Sequence, residues 1–237
     1  MIASKVERRY EYLFGEELNE RMAERPLAYL PIGILERHGE HLPFGLDAMK
    51  AHGVCRRAAN VMGGVVLPPQ HLAGVHGPWD EDLGKMQRKQ REVKDFYLSP
   101  PMYMAWILEV LNGLALIGFR AVVVYSGHYP QWQLLFLERA VDAFNESQNR
   151  CRGLAIREKD VCGGGDHAGK WETSLMMALD PSLVRLERAK DEHQGRLGFY
   201  SGPNPATCAS AEIGEQAIAS IIDHLGKQID QMLGTYE

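Results

Sequence analysis

The sequence predicts an α/β protein of three layers, α/β/α, built on a mainly parallel sheet. Three observations carry this. Short apolar runs alternate with helical patterns along the chain. The clearest run, Ala121-Val122-Val123-Val124-Tyr125, holds no charge, as a strand buried on both faces requires. The 237 residues show no internal repeat, low-complexity segment or linker, so residues 1–237 read as a single domain.

Taken in order, Leu27 to Ile34 reads as a buried strand that ends in a polar loop. Asp47 to Met62 reads as a helix with Asp47 as its N-cap, stopped by Gly63-Gly64. Val65 to Leu67 is a short strand, closed by Pro68-Pro69. Gln70 to Pro101 is long and mostly polar, and a loop of that length inside a compact domain is usually functional or mobile. Met102 to Ile117 has helical spacing in Met104, Ile107, Leu108 and Leu111. After the strand Ala121–Tyr125, a helix is expected over Gln131 to Phe144 and a strand over Leu154 to Ile156. A glycine-rich loop, Gly163 to Gly169, leads into a helix from Trp171 to Leu179. Ile213 to Leu233 is the closing helix.

Composition narrows the function. Hydrophobic residues at 45% and charged residues at 24% are ordinary for a globular chain, so a sizeable core needs no staples. A net charge of −5 with scattered basic residues argues against nucleic acid or an anionic membrane as a partner. Four cysteines without a Cys-x-x-Cys pair argue against a thiolate zinc site and read as reduced thiols. Met1 to Glu17 lacks the apolar core of a signal peptide, and the apolar stretch Leu114 to Tyr125 is short and broken by Arg120. The expectation is a soluble, cytoplasmic protein acting on a small molecule.

In open α/β sheets, sites form at the carboxyl ends of strands. Three loops that follow strands carry imidazoles and carboxylates: Glu36 to Asp47, Ser126 to Tyr129, and Asp166 to Ser174. These are ligand types for zinc, manganese or iron, and the three loops supply enough of them for two divalent ions. Taken alone, Asp47 reads equally as a helix cap and Glu36 and His38 as surface loop residues; the coincidence of three such strand ends shifts the balance. His52, His71, His76, His193 and His224 lack that company and read as structural or surface residues.

The same residues carry a family resemblance. Glu36-Arg37-His38-Gly39-Glu40-His41-Leu42-Pro43, with Asp47 beyond, resembles the signature loop of the creatininase (creatinine amidohydrolase) family. His167-Ala168-Gly169-Lys170-Trp171-Glu172-Thr173-Ser174 resembles its second signature, and Ser126-Gly127-His128 its Asn-Gly-His loop. The motifs occur in the family's order. The resemblance implies a dinuclear metal site and a homo-oligomer, often a hexamer. Glu36, Asp47 and His128 would then hold one metal, and His38, the bridging Asp47 and Glu172 the other. His167, with Asp166 beside it, matches the acid/base position. Pro130 stands where creatininase itself has a glutamate ligand, Ser126 replaces the usual asparagine, and Gly77-Pro78-Trp79-Asp80 stands near the family's Gly-Thr-Ile segment.

The reaction so implied is attack of metal-activated water on the carbonyl of a small cyclic amide or related amide. The alternatives are hydrolysis of a C–C bond in a cyclic diketone, or metal binding without catalysis. Tyr129, Trp171 and His41 flank the ligands and are candidates to touch substrate, although Trp171 reads equally as core packing. Gly164 to Lys170 has the spacing of a phosphate-binding loop, but Trp171 stands where Ser or Thr must hold magnesium. No Gly-x-Ser-x-Gly elbow is present for a serine hydrolase.

Overall fold

The computed structural model describes residues 6–77, 90–148, 150–162 and 165–234. Residues 78–89 of the long polar stretch, with Pro78-Trp79-Asp80 among them, and Gly163-Gly164 lie outside the described residues.

The apolar runs form a parallel sheet. β1 (Leu27–Ile32) and β3 (Ala121–Ser126) are buried along their whole length and pair in register from Leu27↔Ala121 to Ile32↔Ser126. β2 (Val65–Val66) flanks β1 and β4 (Arg152–Ile156) flanks β3, giving the order β2-β1-β3-β4. Parallel neighbours need crossovers, and the helices supply them. α2 (Leu46–Met62) joins β1 to β2, α3 (Pro100–Ile117) lies between β2 and β3, and α4 (Gln131–Ser147) joins β3 to β4. α1 (Gly15–Glu24) precedes the sheet, and α5 (Lys170–Leu179) and α6 (Ala211–Gly234) follow it.

Successive strand residues face opposite layers. Leu27, Tyr29, Val123 and Tyr125 pack with α2, α5 and α6. Ala28, Leu30, Ile32, Val122 and Val124 pack with α3 and α4 through Tyr103, Ile107, Leu137 and Phe144. The three layers read from the sequence are therefore present. By length and mean hydropathy (1.3), α3 meets the requirement for crossing a membrane; its Tyr103, Ile107, Leu111 and Leu114 are buried against the sheet layer.

In this strand order the crevice at the carboxyl ends opens between β1 and β3, where successive connections depart in opposite directions. The first turn of α2 is seated there. A Cβ on Gly33, just past β1, would stand 2.5 Å from Ala48 N and Asp47 Cβ, and one on Gly127, just past β3, would run into the Asp47 carbonyl. Glycine at both strand ends lets the helix touch the sheet. One expectation is corrected here. Gly45, not Asp47, caps α2; Asp47 lies inside the first turn, its carboxylate buried without a hydrogen-bond partner rather than folded back on the helix.

Candidate metal centre

Three loops and the first turns of α2 and α5 converge on that crevice. The loop after β1 is held extended by Glu36 N–H to the Phe44 carbonyl (3.1 Å) and Arg37 N–H to Asp95 Oδ1 (2.9 Å), and it carries Glu36 and His38. The loop after β3 carries His128; its Ser126 hydroxyl donates to the His128 carbonyl at 2.5 Å. The loop before α5 carries Asp166 and His167, and the helix itself carries Glu172 in its first turn. Asp47 comes from α2.

The five expected ligands meet. All are buried, none more than 4% exposed. His38 Nε2 lies 3.2 Å from Asp47 Oδ1, 3.6 Å from Glu172 Oε2 and 3.7 Å from Glu36 Oε1. His128 Nδ1 lies 2.8 Å from Glu36 Oε1 and 3.2 Å from Asp47 Oδ2. Each Asp47 oxygen thus faces a different imidazole, the arrangement of a bridging carboxylate.

The outer ring nitrogens fix the tautomers. His38 Nδ1–H donates to the Glu36 carbonyl at 3.0 Å, and His128 Nε2–H donates to the Val75 carbonyl at 3.2 Å. A carbonyl only accepts, so the outer nitrogens carry protons, and in the neutral rings the inward nitrogens present lone pairs to carboxylates. Lone pair against carboxylate is repulsive unless a cation lies between. His38 Nε2 and both Asp47 oxygens, all buried, have no hydrogen-bond partner. The donor set, imidazole plus carboxylate with outer nitrogens pinned by carbonyls, fits divalent metal ions.

The titration of these groups says the same. Burial works to lower His128, but Glu36 and Asp47 outweigh it and raise its pKa to about 10. Burial likewise opposes charging of His38, and Asp47 and Glu172 raise it to about 9. Burial pushes Glu36 up, yet His128 draws it down to about 2. The cluster calls for positive charge among its carboxylates, which protons on the inward nitrogens or metal ions can supply.

Around the cluster lies a pocket of about 460 Å³, lined by Glu36, His128, Tyr129, His167 and Glu172 among others. His167 is partly exposed; its Nε2–H donates to the Arg37 carbonyl at 2.9 Å, and its Nδ1 faces Glu36 Oε1 at 3.8 Å. Its ring stacks on His38 with centroids 4.7 Å apart. The Tyr129 hydroxyl donates to the Asp166 carbonyl at 2.8 Å.

Three sequence expectations meet a different placement. Asp166 does not orient the His167 ring: its carboxylate accepts from Trp171 N–H (2.9 Å) and Glu172 N–H (3.4 Å) at the head of α5, where unpaired amides favour an anion. His41 is buried away from the pocket. The turn at Gly39 (φ 66°) carries it inward, where Nε2–H donates to the Ala168 carbonyl at 3.0 Å and burial lowers its pKa to about 4. Trp171 packs against the core beneath the sheet, with Lys170 Nζ 4.9 Å over its ring.

Three further residues join the site: His76, which the sequence reads as structural or surface, and Lys50 and Glu158, which it does not single out. His76 lines the pocket, stacks on His128 and brings Nδ1 to 3.9 Å from Glu36 Oε2. Lys50 and Glu158, both fully buried, form an ion pair behind Glu172. Lys50 stands three residues after Asp47, the spacing of one helix face, which was its available signal. Glu158 stands two residues after β4, a fourth strand end.

Residues 11–229 match the family model described as Creatininase, creatinine amidohydrolase. The chain belongs to the creatininase family. It is 25% identical to the creatinine amidohydrolase of Pseudomonas putida, over 81% of this chain and 82% of that one. It is 26% identical to a mycofactocin precursor peptide peptidase of Mycobacterium tuberculosis, over 86% of this chain and 84% of that one. Among solved structures, the fold matches a manganese creatininase with a TM-score of 0.73 at 22% identity, covering 94% of this chain and 98% of that one. A creatininase variant of Zn–Zn type matches with a TM-score of 0.72 at the same identity, covering 94% and 97%. Membership in this family makes the chain a hydrolase.

Proposed function

We propose that this creatininase-family protein is a metal-dependent amidohydrolase, acting on a small cyclic amide or related amide through two divalent ions. The observation that carries the reading is Asp47: buried, without a hydrogen-bond partner, and facing His38 and His128 at 3.2 Å through separate oxygens. Glu36, Asp47 and His128 would hold one ion, and His38, Asp47 and Glu172 the other. Zinc or manganese suits this donor set. When bound, such ions acidify water and polarise a carbonyl.

The protein's own groups do the rest. His167 sits at the boundary between the buried cluster and the open pocket. With Nε2–H engaged by the Arg37 carbonyl, its Nδ1 is the nitrogen free to take up a proton and pass it to the leaving nitrogen. Tyr129 closes one wall and, anchored on the Asp166 carbonyl, holds that loop against the strand end. Burial of Glu36, His38, Asp47 and His128 keeps bulk water from the base of the pocket, so their charges act at short range without screening.

Elemental analysis of the purified protein tests this, with Glu36→Gln and Glu172→Gln alongside. Two divalent ions per chain, falling in both variants, together with turnover in a screen of lactams, formamides and cyclic diketones, is the expected result. Metal content indifferent to both substitutions would refute the site. Turnover of a cyclic diketone alone would move the reaction to C–C cleavage.

A further inference from the structure

Lys50 and Glu158 have no part in the reaction just described, yet they are the most deeply buried ions near it. The Lys50 ammonium contacts Glu158 and donates to Glu172 Oε1 at 2.7 Å, and the Tyr129 ring covers it with Nζ 4.7 Å from the centroid. Neither Glu158 oxygen has a well-aligned hydrogen bond, and the Lys50 ion pair is its largest compensation. Buried ion pairs and triads can often be replaced by apolar groups of similar volume without loss of stability. Stability is therefore a poor reason for this one, and its contact with a candidate ligand is a better one.

Glu172 is divided between two tasks. Oε1 is taken by Lys50, while Oε2 accepts the Ala168 N–H at 2.6 Å and faces His38 Nε2 at 3.6 Å. Ala168 holds a left-handed φ of 50°, a backbone state that aims its amide at that oxygen. Glu36 and His128, on the other side of Asp47, have no buried cation behind them among the described residues.

We propose that Lys50 is a positioning residue that occupies one oxygen of Glu172 and offsets its charge, so that the His38–Asp47–Glu172 site holds a divalent ion less tightly than the Glu36–Asp47–His128 site. Glu158 is the counterweight, drawing part of the ammonium's charge away from Glu172. The inference rests on the metal-centre reading and adds to it unequal affinities set by a residue pair outside the ligand set.

The test is titration of chelator-treated full-length protein with Mn²⁺ alone, following the free ion by electron paramagnetic resonance. Wild type should bind in two unequal steps. Glu158→Gln leaves Lys50 wholly on Glu172 and should weaken the weaker step by roughly tenfold, as outer partners of metal ligands do. Lys50→Met with Glu158→Met removes both charges at similar volume while Ala168 still holds Oε2; with the ammonium's repulsion of the ion gone, that step should tighten by roughly tenfold. Lys50→Arg, which keeps the cation, should behave as wild type. The stronger step, unchanged throughout, reports that each variant is folded. Two equal steps in wild type, or shifts of the same sign in the Gln and double-Met variants, would overturn the inference and leave the metal centre standing. Absence of Mn²⁺ binding in wild type would overturn both.

Discussion

On the His128 side of the centre, the groups behind the candidate ligands are neutral. The Val75 carbonyl takes His128 Nε2–H, and fully buried Gln133 ties two loops together by accepting Val75 N–H at 2.8 Å and donating to Ser126 Oγ at 3.2 Å. On the Glu172 side the groups behind are ions, Lys50 and Glu158. Neutral hydrogen bonds fix geometry and leave the ligand's charge intact, whereas a buried ammonium fixes geometry and reduces that charge. One carboxylate, Asp47, belongs to both sides.

That shared residue gives the largest expected effect. Asp47→Asn should strip both sites of metal at once and lower turnover by about a hundred- to a thousandfold, the scale for removing one preorganised charge-stabilising group. Retention of one full metal per chain in this variant would show that the halves do not share it.

Acid and base sharpen the comparison next. In the metal-free protein, folded-state values of about 9 for His38 and about 10 for His128 lie above the ordinary 6.5. A raised value stabilises the fold fully below about 6.5, and the contribution disappears as pH rises through the folded values. The chelated protein should therefore lose melting temperature between pH 7 and 10, His38 releasing its proton before His128. The metal-loaded protein, in which ions replace those protons, should not show this loss. Equal pH profiles for the two forms would contradict the picture.

The smallest effects separate packing from chemistry. His41→Ala should cost about 2 kcal/mol by leaving the Ala168 carbonyl unpaired, with metal content unchanged. Trp171→Phe should cost under about 1.5 kcal/mol. Melting curves with metal analysis check both; a rise in KM without loss of stability would return either residue to the pocket.

The sheet was legible because buried parallel strands are written as uninterrupted apolar runs, and β1 and β3 appear within two residues of their expected ends. The candidate ligands were legible because they cluster in the loops and helix starts that follow strands. Lys50 was hidden because a lysine in mid-helix reads as solvated; only the fold places it against Glu172 and Glu158. Glu158 was hidden behind β4, a weaker strand with half-buried positions. His76 sits in a polar loop whose course depends on pairing with Gln133 and on stacking against His128, neither of which is local in sequence. His41 stands three residues after His38 and Asp166 six before Glu172, yet a single left-handed glycine and the unpaired amides of a helix end turned them to other work.

Gly33 and Gly127 carry no side chain to the centre, but a saturation scan of the chain should find them nearly as intolerant as Asp47 itself. Alanine at Gly127 would have to displace the backbone that bears Asp47, because a Cβ there meets the main chain and not the yielding end of a side chain. A map of mutational sensitivity would thus outline a footprint wider than the candidate ligands, tracing the two notches on which the Asp47 helix is mounted.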